Sequence, residues 1–177
     1  MKKIIAIIVL GLVLVQCNSD KKYLITKGDL GGIHKKTTVG ELDKLFKNDS
    51  VVKLPKDRDV FNKYKVYDKT GKQLLAISLD ITRDSIKGIG NIKIFSNLYK
   101  TEKGLSTDST FKDIIDNYSI SKVEPFISSV IVSVDELNVG IALDKKDLKI
   151  NEFDMRKISK DQIPDMAKIK YITLWFD

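Results

Sequence analysis

Cysteine, histidine, arginine and proline are nearly missing from this chain of 177 residues, and each shortage removes a class of explanation. Cys17 is the one cysteine, so no intramolecular disulfide can form and the fold must rest on its core. His34 is the one histidine. One imidazole and one thiol are too few for a structural zinc site. A Ser-His-Asp or Cys-His centre would depend wholly on His34. That residue sits in Gly31-Gly32-Ile33-His34-Lys35-Lys36, which reads as a solvated, glycine-rich approach to a helix. Gly28, Gly31 and Gly32 lack the lysine-hydroxyl pair that a phosphate-cradling loop needs. No catalytic residue, metal ligand or cofactor is expected.

Arginine is scarce although the net charge is +7: of 31 basic residues only Arg58, Arg83 and Arg156 are arginine. Nucleic-acid surfaces favour guanidinium forks for phosphates and base edges. Here lysines are scattered among acids, which reads as a solvated surface and excludes nucleic acid as the expected partner. Asp57-Arg58-Asp59, Asp80-Ile81-Thr82-Arg83-Asp84-Ser85 and Asp144-Lys145-Lys146-Asp147 read as solvated turns. None has the oxygen count and central glycine of a calcium loop. With three prolines and no low-complexity stretch, nothing marks a linker between domains.

Long apolar runs are also absent, except at the start. Met1-Lys2-Lys3 leads into twelve apolar residues, Ile4 to Val15, and then Gln16-Cys17-Asn18-Ser19-Asp20. Twelve helical residues rise about 18 Å, short of a bilayer core of about 30 Å. A basic start, a short apolar run and an abrupt polar change make an export signal, here residues 1–16. Leu14-Val15-Gln16-Cys17 resembles the lipobox of bacterial lipoproteins, with Gln16 where that pattern prefers Gly, Ala or Ser. The resemblance implies that Cys17 becomes the first mature residue and carries acyl chains such as palmitate. It implies a membrane-anchored protein of the cell envelope, at the outer membrane or cell surface. Residues 17–22 read as a lipidated tether and 23–177 as one domain.

Two stretches 72 residues apart look alike. Gly32, Ile33, Thr37, Thr38, Val39, Glu41, Leu42 and Phe46 match Gly104, Leu105, Ser109, Thr110, Phe111, Asp113, Ile114 and Tyr118 without a gap. Thr38 with Glu41, and Thr110 with Asp113, have capping-box spacing. Val39, Leu42 and Phe46 make one apolar stripe; Phe111, Ile114, Ile115 and Tyr118 make the other. Each helix spans two to three turns and needs a sheet to hold it. Strand-rich stretches follow both, with hairpins expected around Tyr64–Gly71 and Val130–Asn138. The second copy lacks about eight residues, placed around Pro55–Asp59.

Asn91–Ser96 reads as a strand leading into the second copy, as Tyr23–Thr26 leads into the first. Ile169–Phe176, rich in β-branched and aromatic residues, reads as an interior strand. The expected fold is α+β: a largely antiparallel sheet, two short helices, and internal duplication of a helix-plus-hairpin unit (about 23–90 and 91–177). The unit resembles the helix-and-sheet repeats of small envelope lipoproteins of the outer-membrane assembly type, a style shared by secreted β-lactamase-inhibitor proteins.

The expected role is a non-catalytic binding or scaffolding module, held to the membrane through Cys17, with an envelope protein as partner. Two alternatives stand beside it. One is an envelope hydrolase built from carboxylates, which would show converging acids of raised pKa. The other is an inhibitor-like module presenting a sheet to an enzyme, which would show an exposed aromatic patch around Tyr64 and Tyr67.

Overall fold

Strands of alternating burial and two capped helices build this protein. The computed structural model describes residues 20–54, 63–82, 85–151 and 153–176. The expected signal peptide, Cys17 and the charged loop around Pro55–Asp59 lie outside them.

The first unit opens with a 3-10 helical turn, Asp20–Tyr23, and three short strands: β1 (Leu24–Thr26), β2 (Asp29–Leu30) and β3 (Ile33–His34). Helix α1 (Val39–Leu45) follows, then β4 (Ser50–Lys53), β5 (Lys63–Tyr67), β6 (Gln73–Thr82) and β7 (Ser85–Ile94). The second unit opens with β8 (Lys100–Thr101). It continues through α2 (Phe111–Asn117), β9 (Lys122–Pro125), β10 (Ser129–Val134), β11 (Val139–Asp144) and β12 (Ile169–Trp175). The fold is α+β, as expected.

Eight strands form one antiparallel sheet in the order β4-β5-β6-β7-β12-β11-β10-β9. Each unit contributes a four-stranded meander, and the two fourth strands meet, with Ile172 opposite Ile94 and Trp175 opposite Asn91. A smaller sheet, β3-β2-β1-β8, joins the units a second time through parallel β1 and β8. Its Ile25, Leu30 and Ile33 share one core with Leu42 and Ile114 of the helices and with Leu75, Ile92, Ile141 and Ile172 of the large sheet. Helices and small sheet therefore cover one face of the large sheet.

The 72-residue offset extends into geometry. The hydroxyls of Thr38 and Thr110 accept from the N–H groups of Glu41 and Asp113, whose carboxylates accept from the threonine N–H groups at 2.7 Å in both cases. Before each helix the same turn recurs. Thr37 accepts from the His34 N–H at 3.0 Å, and Ser109 from the Ser106 N–H at 3.2 Å. Gly32 and Gly104 both sit in the left-handed region. The offset still holds at β4 and β9. Each pre-helix loop is also tied to its own unit's last strand: Ile89 donates to the Lys35 carbonyl, and Ile169 to that of Ser109.

Four expectations are corrected. The sequence reads as a strand, a helix and three strands in each unit, whereas the structure places four strands after each helix. Asn91–Ile94 ends β7 of the first unit, so that strand crosses the expected boundary at residues 90 and 91; Gly88 and Gly90 had hidden its first half. Asp20–Lys22 belong to the fold, since the Lys22 carbonyl lies directly against Gly31. Ile115 is 42% exposed and drops out of the apolar stripe.

The two caps give a first expected result. Thr38→Ala and Thr110→Ala should each cost about 1 kcal/mol, adding in the double variant because the helices are separate. Hydrogen bonds from Thr38 and Thr110 hold the Glu41 and Asp113 carboxyls below their ordinary 4.5 and 3.8. A lowered folded-state pKa stabilises above the unfolded value and is lost as pH falls through the folded one. Wild-type stability should therefore fall below about pH 4.5, and less steeply in the double variant. Urea titrations between pH 7 and 2.5 would show it; parallel pH curves for both proteins would contradict it.

Candidate functional site on the open face of the sheet

Helices and small sheet cover one face of the eight-stranded sheet; the side chains that alternate with the core point the other way. Along β5, Tyr64 and Val66 are buried inward while Lys63, Lys65 and Tyr67 point outward. Along β12, Ile172 and Leu174 point inward, and Tyr171, Thr173 and Trp175 outward. A register shift at Ala142/Leu143 sets this alternation, because Leu143 pairs with Ile169 but Ala142 with Tyr171. The extra residue in β12 moves the rest of the strand by one face.

At the middle of this face stands Trp175. A Cβ on Gly140 would lie 2.4 Å from the end of its indole, so the side-chain-free position in β11 is the seat of the ring. The backbone beneath is pinned twice: the Trp175 N–H donates to the Asn138 carbonyl at 3.1 Å, and the Asn138 amide donates to the Trp175 carbonyl at 3.2 Å. Held this way, the indole remains 38% exposed. Tyr171 meets Phe95 at 5.8 Å between ring centroids, and the Lys93 ammonium sits 4.7 Å above the Tyr171 ring. Trp175, Tyr171, Phe126 and Ile131 border a trough of about 290 Å³ with Thr173, Ser133 and Asn91 among its polar lining. A larger groove of about 790 Å³ covers the β5–β7 half and is lined by Lys63, Lys65, Lys93 and Asp80, among others.

Rigid, part-exposed aromatics on a stiff scaffold are what binding hot spots use, because little side-chain entropy remains to be lost. Eight strands span about 34 Å and a five-residue strand about 17 Å, giving roughly 600 Å² of open face. A standard protein interface takes about 800 Å² per partner. The face is thus close to the size of a protein-binding surface.

Placed on this geometry, the sequence expectations separate. Tyr64 is 7% exposed and packs inward, so the aromatic patch is not centred on Tyr64 and Tyr67. It is centred on Trp175 and Tyr171, both within the strand read as core; alternation counted from Ile172 would have found them. His34 lies exposed in β3, its Nδ1 3.2 Å from the Gly32 carbonyl and 3.3 Å from the Thr37 hydroxyl. Among the described residues no three His, Cys, Asp or Glu side chains gather as metal ligands, and no described helix is long and apolar enough to cross a membrane. Asp144 is bridged to Lys170 at 3.1 Å. Burial pushes its pKa up, but the Lys146 N–H and Lys170 outweigh this and hold it below the ordinary value. Side-chain and backbone donors of Arg156 bring the Asp154 carboxyl down to about 2.

Gly140→Ala should lift the indole from its seat while leaving the fold intact, since the tightest contact is with the far end of a side chain. Trp175 is the only tryptophan in the chain. Its emission should shift to the red and its quenching by acrylamide should rise, at a stability cost of about 1–3 kcal/mol. An unchanged spectrum would show that the glycine does not seat the ring.

No family model matches this chain, and no curated protein does. Among solved structures it is similar to the crystal structure of the uncharacterized protein yfeY from Escherichia coli. The TM-score is 0.54 at 11% identity, covering 87% of this chain and 98% of that one. At that identity the likeness concerns the fold alone.

Proposed function

We propose that this protein is a lipid-anchored component of the cell envelope that acts without catalysis, binding another envelope protein across the open face of its sheet. The observation that carries the reading is Trp175, seated on Gly140 and part-exposed on the face of the eight-stranded sheet that the described helices and small sheet leave open. The anchor fits the same arrangement. Cys17 stands three positions before Asp20, a reach of about 10 Å at most. The chain enters the fold at β1, in the layer opposite the open face. A lipid on Cys17 would therefore hold that layer toward the bilayer and leave the open face turned away.

The carboxylates favour binding over hydrolysis. A carboxylate hydrolase needs an acid of raised pKa. Glu41, Asp68, Asp113, Asp144 and Asp154 all move the other way, each through a hydrogen-bond donor beside it. The inhibitor-like alternative uses the same face and differs in taking an enzyme as its partner.

Two measurements test the reading. Labelled fatty acid should enter the wild-type chain and not Cys17→Ser, which should leave the membrane fraction or stay unprocessed. A photo-crosslinker at Ser133, on the open face, should capture one defined envelope protein in cells. The same group at Lys112, exposed on α2, should not. Equal capture from both positions, or none from Ser133, would sink the open face as the binding surface.

A further inference from the structure

We propose that one end of the large sheet rests on the bilayer, with the β9–β10 turn and the β11–β12 connection inserted among the lipid head groups. The proposal rests on the lipid anchor at Cys17. Register defines this end: β7, β9 and β11 finish here, and β6, β10 and β12 begin here. Leu75 pairs with Ile94, Ile94 with Ile172, Leu143 with Ile169, Ser129 with Asp144 and Pro125 with Val130. The β7–β8 connection leaves from the same end and carries Tyr99, whose ring meets that of Tyr23 at 5.4 Å. The tether therefore joins the fold at this end. Strand β10 lies three places from β7, about 14 Å across the sheet. An acyl chain on Cys17, within about 10 Å of Asp20, brings the bilayer to these connections.

Exposed apolar side chains collect at the same end. They are Leu98 in the β7–β8 connection, Phe126 and Ile127 in the β9–β10 turn, and Phe153, Met155 and Met166 in the β11–β12 connection. Ile127 is 63% exposed and Phe153 75%. Beside the connections of the opposite end, the one such side chain among the described residues is Ile86, next to the β6–β7 turn. The turn and the long connection are tied to each other. The Lys145 N–H donates to the Ser128 carbonyl at 3.4 Å, and the Lys145 ammonium donates to the Asp154 carbonyl at 2.5 Å. Ile127 precedes the first of these bonded carbonyls, and Phe153 and Met155 flank the second. Met155 and Pro125 also line one groove. Large apolar side chains held together in water mark a protein or a membrane contact. The tether decides for the membrane, because it sets lipid beside them. Interfacial segments sink about 5–10 Å into the boundary of head groups and acyl chains, a depth that side chains on short loops can reach. Trp175 and Ser133 lie toward the opposite end, so the open face stays clear of the bilayer.

Acylation leaves Cys17 without a free thiol, so one added cysteine can carry a polarity-sensitive nitrobenzoxadiazole dye. The variants are Ile127→Cys, Phe153→Cys and, as control, Ile86→Cys, each in the acylated protein in vesicles of phosphatidylethanolamine and phosphatidylglycerol. Emission from the labels at 127 and 153 should lie to the blue of that at 86. A nitroxide high on the acyl chain should quench them more than one near its end, and neither should quench the label at 86. Adding Met155→Asp to Phe153→Cys should move the emission back to the red. Its melting temperature should stay near that of Phe153→Cys alone, since Met155 is exposed. Equal emission at 153 and 86, or equal quenching of all three labels, would overturn the proposal. A blue shift that disappears when the protein is diluted into more lipid would also overturn it, by showing that a second copy covers the loops. If labelled fatty acid enters at Cys17 while both loop labels stay wet, the anchor stands and only the loop contact is wrong. If no fatty acid enters, the tether that orients this end is gone and both readings fail.

Discussion

Removing residues 169–177 should leave a chain with no cooperative unfolding transition. Strand β12 is the fifth of eight in the large sheet and pairs with β7 on one side and β11 on the other. Its loss would expose two interior edges and separate the meanders of the two units. It also carries Ile169, Ile172 and Leu174 into the core, and Phe176 follows them, each at most 5% exposed. Burying such side chains is worth about 1.5–3 kcal/mol apiece, so four of them contribute roughly 6–12 kcal/mol. That is comparable to the whole stability of a typical domain, about 5–15 kcal/mol. The β1–β8 pairing is too short to hold the units together alone. Circular dichroism melting of the truncated protein would decide the matter. A transition near the wild-type temperature would mean that β12 is peripheral.

Gly88→Ala should be among the most damaging single-methyl changes at the described residues. Gly88 has φ of +137°, a conformation that side-chain-bearing residues rarely adopt. An added Cβ would lie 2.1 Å from the Lys35 carbonyl oxygen, which is backbone and cannot swing away. That oxygen accepts the Ile89 N–H at 2.8 Å, the bond that ties the turn before α1 to β7. Backbone strain of about 1–3 kcal/mol and loss of a buried hydrogen bond of about 1 kcal/mol together give roughly 3 kcal/mol. At this chain length the melting temperature should fall by about 6–12 °C. Gly71→Ala is the control: φ is +82°, but no atom lies within 4 Å of the new Cβ. Equal losses for the two variants would show that backbone conformation alone matters at Gly88, and that the contact with Lys35 contributes nothing.

Both helices were legible in the sequence because a capping box is a local object. Thr38 and Glu41, or Thr110 and Asp113, satisfy one another across three residues, and Leu42 and Ile114 follow within one turn. The hairpin turns were legible for the same reason. Asp68 accepts from the N–H groups of Thr70 and Lys72, bonds made entirely within the turn. Strand β7 was half hidden. Its pairing with β12 matches residues near 92 with residues near 174, and no local pattern records a bond across that distance.

Residue type alone determined that Ile169–Phe176 is an apolar strand of the interior, and the paired capping boxes determined two equivalent helices at an offset of 72. Tertiary structure alone decided which side chains of that strand meet the core and which form the open face. Apolar character drives a residue out of water without specifying a direction. Direction is set by register, here by the shift opposite Ala142 and Leu143 that turns Trp175 outward onto Gly140. The same holds for Tyr64 and Tyr67, near neighbours of one chemical kind: three peptide units apart on a pleated strand, they face opposite sides of the sheet.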